Sequence, residues 1–402
     1  MNEVVQTMMN CIKYEIRGKE EREKVVLPEV SARFLSELYK LSKAHDMAHL
    51  AGDALSKCGA FTNLPDTTDE AERATIAKIK AKFDEQVFTA VYRYENINYE
   101  LEQLKQTLNE AKIPFIPLKG SVIRKFYPEP WQRTSCDIDI LVREEDLEAA
   151  VKALVQKNGY KQDGKRNFHD ISLYSPSGMH LELHFNIKEK IEKLDAVLET
   201  VWDYAVKNED SEFDYEYKFS EEFFLFHLYA HASYHFIGGG CGVRPFVDFY
   251  ILKRNLTFDS EKLETLLDRA GIKFFAEKAE ELSEIWFGER VHDEITKEAE
   301  AFVLSGGVYG NVVNHAAVKQ AEKGRSAHLR SRIWMPYESL IMLYPSLKGK
   351  RILQPLYEIR RWFKLFKKST LKRSVNELKA NTSMRQEEVS KAQKLLNDLE
   401  LL

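Results

Sequence analysis

The 402-residue chain has few cysteines, no long apolar run and almost no net charge. Its four cysteines, Cys11, Cys58, Cys136 and Cys241, form no CxxC pair, which argues against a structural zinc site or a disulfide framework and suits a reducing cytoplasm. No stretch approaches the roughly 20 apolar residues needed to span a bilayer. The opening MNEVVQTMMNCIKYEIRGKE lacks the charged start and long apolar core of a signal peptide. A net charge of -4 marks no general polyanion binder, so local charge has to decide that question. What is present, 44% hydrophobic and 30% charged residues, is the composition of a globular protein long enough for two or three domains.

The most informative stretch is Ile113 to Val142, IPFIPLKGSVIRKFYPEPWQRTSCDIDILV. It reads as a strand, a glycine turn at Lys119-Gly120-Ser121, a short helix capped by Ser121, and a second strand bearing Asp137 and Asp139. Side chains on a strand alternate faces, so both carboxylates point the same way. Two like charges a few ångströms apart repel by roughly 4 kcal/mol at an effective dielectric of about 20, and a cation would offset that cost. Hard divalent ions such as Mg2+ take carboxylates together with substrate phosphates. Gly120 lets backbone approach a ligand closely, and Lys119 adds positive charge beside it.

This order of strand, Gly-Ser turn, helix and Asp-x-Asp strand resembles the nucleotidyltransferase superfamily typified by DNA polymerase beta. More narrowly, LKGS, Arg133, the run Asp137 to Val142 and Leu181-Glu182-Leu183-His184 are similar to a family of uncharacterised bacterial nucleotidyltransferases. The resemblance implies a third metal-binding carboxylate at Glu182, on a strand whose one face carries His180, Glu182 and His184. It implies Mg2+, with Mn2+ as a substitute, and an NTP as substrate. Lys119, Gly120, Ser121, Arg133, His184 and Arg244 are then the expected nucleotide-binding residues, and Asp137, Asp139 and Glu182 the catalytic ones. The Lys-Gly-Ser form of the turn, and its long gap to Asp137, suit the toxin-like and uncharacterised branches better than the polymerases.

Around this core the expected fold is α+β, a small mixed sheet between helical regions. Residues 1–98 form a helical N-terminal region, 99–206 the nucleotidyltransferase core, and 207–402 a helical C-terminal domain. Ile171 to Tyr174 and His180 to Phe185 read as a hairpin turned at Ser175-Pro176-Ser177-Gly178. His227, His231 and His235 share a helix face but lack a full ligand set for a transition metal. The loop Ile237 to Asp248 is too glycine-dense for a helix; its backbone and Arg244 are expected to face the nucleotide, the plainer alternative being an ion pair between Arg244 and Asp248. Ser305-Gly306-Gly307-Val308-Tyr309-Gly310-Asn311 lacks the ending of a P-loop. The basic amphipathic segment 347–373 either docks its apolar side on the helical bundle or makes a weak contact with an anionic membrane or RNA.

The activity expected is transfer of a nucleoside monophosphate from NTP to an unknown acceptor. Two alternatives stay open: a toxin- or antitoxin-like transferase acting on RNA or protein, and a non-catalytic nucleotide-binding module.

Overall fold

The structure is a computed structural model that describes residues 2–17, 31–66, 68–164, 166–308, part of 310–365, and 386–401. It forms two compact units, one of residues 1–232 and 243–292, the other of 233–242 and 293–402.

The first unit is built on a five-stranded mixed sheet of order β1-β2-β5-β4-β3. Its strands are β1 (Phe115–Pro117), β2 (Asp137–Val142), β3 (Lys161–Gln162), β4 (Asp170–Tyr174) and β5 (His180–His184). β1 runs antiparallel to β2, β2 parallel to β5, and β4 antiparallel to β5. The expected hairpin is present: the Gly178 amide donates to Ser175 O at 2.9 Å, with Gly178 at φ +87°, a conformation glycine adopts without strain.

Alternation buries one face of these strands. Ile138, Ile140 and Val142 of β2, with Leu181 and Leu183 of β5, share a core with Ile97, Leu101, Leu104 and Leu108. These last four recur at helical spacing on one face of a single long helix, Glu70–Glu110. Asp69 caps it by accepting from the Glu72 amide. A second helix, Leu147–Asn158, adds Leu147, Ala150 and Leu154 to the same core and ends at Gly159 in the left-handed conformation.

Three earlier helices, Glu3–Ile16, Ala32–Ala44 and Ala48–Lys57, supply much of the remaining core of the N-terminal region. A Cβ at Gly52 would lie 2.8 Å from Phe83 Cβ, so glycine is what lets the third of them approach the long helix. On the outer side of the long helix, Phe88 and Tyr92 are exposed and stack on each other.

The two glycine loops read in the sequence meet inside the second unit. A Cβ at Gly239 would lie 2.7 Å from the His315 amide nitrogen, and one at Gly310 would lie 2.5 Å from the Gly239 carbonyl. The glycines Gly239 and Gly240 thus serve backbone packing against Gly306, Gly310 and His315, where the sequence suggested a ligand-facing loop. The segment 347–373 is described at residues 347 and 349–365 and includes a helix, Gln354–Leu365. The rest of that segment lies outside the described residues.

Candidate active site

The face of the sheet opposite the core is polar, and the parallel register sets its chemistry. Asp137 pairs with His180, and Asp139 with Glu182. Because β2 and β5 alternate in phase, Asp137, Asp139, His180, Glu182 and His184 rise on one side. Ligand atoms of Asp139, Glu182 and His184 all lie within 4.8 Å of one another, and so do those of Asp137, His180 and Glu182. Glu182 belongs to both groups.

Asp139 is the buried centre. Its Oδ1 accepts from His184 Nε2 at 2.9 Å and faces Lys119 Nζ at 3.2 Å. Burial opposes ionisation of Asp139, yet Lys119 and His184 hold its carboxyl well below the usual carboxylate range. Asp137 moves the other way, raised by burial and by repulsion from Asp139 and Glu182. His184, whose Nε2 also lies 3.5 Å from Glu182 Oε2, is held up at about 9 by these two carboxylates against the pull of burial. Burial likewise works against the Lys119 ammonium, while Asp139, Glu182 and Glu189 keep its pKa above that of an ordinary lysine.

Lys119 reaches Asp139 from a strained backbone. Its φ of +44° with ψ -118° is a conformation that L residues with side chains rarely adopt. The next residue, Gly120, is packed where a Cβ would lie 3.2 Å from Ser135 Cβ and 3.7 Å from Arg133 Nη1. The helix that follows, Gly120–Ile123, is a single turn, and its N-cap is Lys119 without a side-chain hydrogen bond. Ser121 therefore does not cap it, contrary to the reading from sequence. Its Oγ is buried and has no partner among the described residues, and the same holds for His184 Nδ1.

The two arginines expected at the nucleotide are held by carboxylates. Arg133 donates through Nε to Asp248 Oδ1 and Oδ2 at 2.8 and 3.1 Å, and through Nη1 to Thr134 O at 2.6 Å. Arg244 pairs with Asp46, which also accepts from Thr134 Oγ1 at 2.7 Å. Arg244 is thus paired with a residue nearly two hundred positions away, and the alternative partner read for it, Asp248, belongs to Arg133. The structure brings together Asp137, Asp139, Glu182, His184 and Lys119, sets Gly120 and Ser121 beside them, and engages Arg133 and Arg244 in ion pairs.

Three residues went without a role in the sequence reading. His180 joins one ligand group, and its position on the acidic face was visible in the alternation of β5. His231 of the helix Glu221–Ile237 donates through Nδ1 to Glu189 Oε1 at 2.8 Å. Burial first, and then the charge of Lys119, push His231 well below an ordinary histidine. The i,i+4 spacing of His227 and His231 hinted at a shared face, whereas nothing in the sequence singled out Glu189. A cavity of about 270 Å³ opens at the starts of β2 and β5, lined by Tyr92, Arg93 and Asn96 of the long helix and by Cys136 and Met179.

Carboxylate and imidazole donors at these separations can converge on a divalent cation, whose oxygen ligands lie about 2.0–2.6 Å from Mg2+ or Ca2+. Ser121 Oγ, buried and without a partner among the described residues, lies two positions after Lys119. No curated protein and no solved structure matches the chain. The sequence model of the uncharacterised nucleotidyltransferase family matches residues 32–288, a span that contains the whole sheet, the Gly-Ser turn and every residue of the acidic face. The chain belongs to that uncharacterised nucleotidyltransferase family.

Proposed function

We propose that the protein transfers a nucleoside monophosphate from an NTP to an acceptor hydroxyl, using a divalent cation, Mg2+ or Mn2+, held by Asp137, Asp139 and Glu182. The observation that carries this reading is the register of Asp139 opposite Glu182, which gathers three carboxylates and two imidazoles on one face of the sheet. When bound, the cation neutralises charge on the α-phosphate and on the departing pyrophosphate.

The remaining roles fall to this chain's own groups. Ser121 Oγ and the backbone at Gly120 hold the terminal phosphates. Lys119, which offsets the charge of Asp139, turns its ammonium to the triphosphate. His184 fixes the orientation of Asp139 and Glu182 through its Nε2. The acceptor oxygen bonds to the α-phosphorus, the bond to the α,β-bridging oxygen breaks, and pyrophosphate leaves. The acceptor proton passes to Glu182 or to water beside it.

The test is transfer of α-labelled nucleotide to candidate acceptors with and without Mg2+. Asp139→Asn is nearly isosteric and is expected to lower transfer by roughly a thousandfold or more, the equivalent of several kcal/mol of lost charge stabilisation. Label transfer that persists at the native rate in Asp139→Asn would refute the assignment.

A further inference from the structure

The second unit carries a surface that the nucleotide site does not use. On the stretch Lys350 to Arg360, the outward residues are Lys350, Arg351, Ile352, Pro355, Leu356, Ile359 and Arg360. Ile352 is 94% exposed, Leu356 62% and Ile359 53%. Leu356 and Ile359, three residues apart, share a face of the helix Gln354–Leu365, and Ile352 stands exposed on the short 3-10 turn Arg351–Leu353 just before it, which together make an exposed aliphatic stripe.

The bundle side of the same stretch is filled by other residues. Leu353 and Tyr357 pack against Leu340, Tyr344 and Leu347. Glu358 is buried, accepting from the Met335 amide at 2.6 Å and from Arg361 Nε at 2.7 Å. The described part of the apolar side, Ile352, Leu356 and Ile359, therefore faces outward rather than onto the bundle, and the one acid of the helix faces inward. What remains outside is aliphatic and cationic, with no carboxylate among the described residues of that face.

We propose that this face binds an anionic lipid surface. Cations flanking the stripe match acidic headgroups, and branched aliphatics enter the boundary of headgroup and acyl chain, where a helix lies in the interface plane. Single-stranded nucleic acid is held instead by aromatic platforms on which bases stack, and the described residues of the exposed stripe offer none. The sequence continues in the same sense, with Lys364, Lys367, Lys368, Lys372 and Arg373 following and no acid before Glu377. No helix of the described residues is long and apolar enough to cross a membrane.

The experiment is co-sedimentation of the full chain with phosphatidylcholine vesicles, with and without about one-third phosphatidylglycerol, at low and high salt. Binding is expected only to the anionic vesicles and is expected to weaken with salt. Arg351→Gln with Arg360→Gln should reduce it by about 5-fold per cation removed. Ile352→Asp with Leu356→Asp, both on exposed positions that leave the bundle contacts intact, should reduce it at least as much. Equal binding to neutral vesicles, or native-level binding by the aspartate variant, would overturn the proposal. Retention on single-stranded RNA without vesicle binding would overturn it too, in favour of nucleic acid. Circular dichroism of both variants separates lost binding from lost folding.

Discussion

Asp139 illustrates how one carboxylate can be buried and still ionised. Its two cationic neighbours come from different elements, Lys119 from the turn after β1 and His184 from the end of β5. Removing either leaves a buried charge short of a partner, which costs far more than a surface pair contributes. The same reasoning assigns Arg133. Its guanidinium is enclosed with Asp248 and Tyr127, whose hydroxyl donates to Asp248 at 2.7 Å. Arg133→Met is expected to destabilise the protein by roughly 3–5 kcal/mol, read from urea unfolding, because Asp248 stays behind uncompensated. A variant of native stability with a raised KM for NTP would instead return Arg133 to the phosphates. Its partner could not be read from the sequence, since ion pairs between residues 115 and 198 positions apart leave no local pattern. Asp137, Asp139 and Glu182 were legible because alternation on a strand is local, and a face with three acids has few structural uses. His180 adds an imidazole to that face, and His180→Ala is expected to weaken Mn2+ binding by about 10-fold, measured by calorimetry. Unchanged affinity would remove His180 from the ligand group.

At the scale of elements, the strands with strong alternation emerged where the sequence placed them. β5 and the hairpin before it agree to within a residue, and the long helix shows its apolar face at Ile97, Leu101, Leu104 and Leu108. The short pair Ala205–Lys207 and Tyr217–Phe219 escaped because three residues carry too little periodicity. The glycines of the loop Ile237 to Asp248 were misread for a different cause. Glycine marks close backbone approach, but the sequence does not tell whether a ligand or another strand of chain makes that approach. Here it is chain. Gly239→Ala combines φ +113° with a Cβ 2.7 Å from the His315 nitrogen, so a loss of about 1–3 kcal/mol or more is expected. A melting temperature equal to the native one would contradict that packing.

For the molecule as a whole, buried neutral histidines tie stability to pH. His49 is enclosed, with Nε2 2.8 Å from Gln132 O, and faces Asp46, Arg244 and Asp53. His227 is enclosed near His231, His184, Lys119 and Asp139. Burial lowers both below the ordinary histidine value. Below about pH 6.5 the unfolded chain therefore binds protons that the folded chain refuses, and acid favours unfolding. Each group contributes up to about 1.4 kcal/mol per pH unit in that range. The urea midpoint is expected to fall between pH 7 and about 5.5, and a flat or rising midpoint would mean that these histidines are charged in the fold.

The in-phase pairing of β2 and β5 also sets what length changes the chain tolerates. One residue inserted within β5 would turn Glu182 toward the leucines and a leucine toward the aspartates, while leaving hydrophobic content untouched. Insertions at the Ser175–Gly178 tip would leave the phase alone. Natural or engineered variants of this chain should thus accept added residues at that corner and reject them a few positions later.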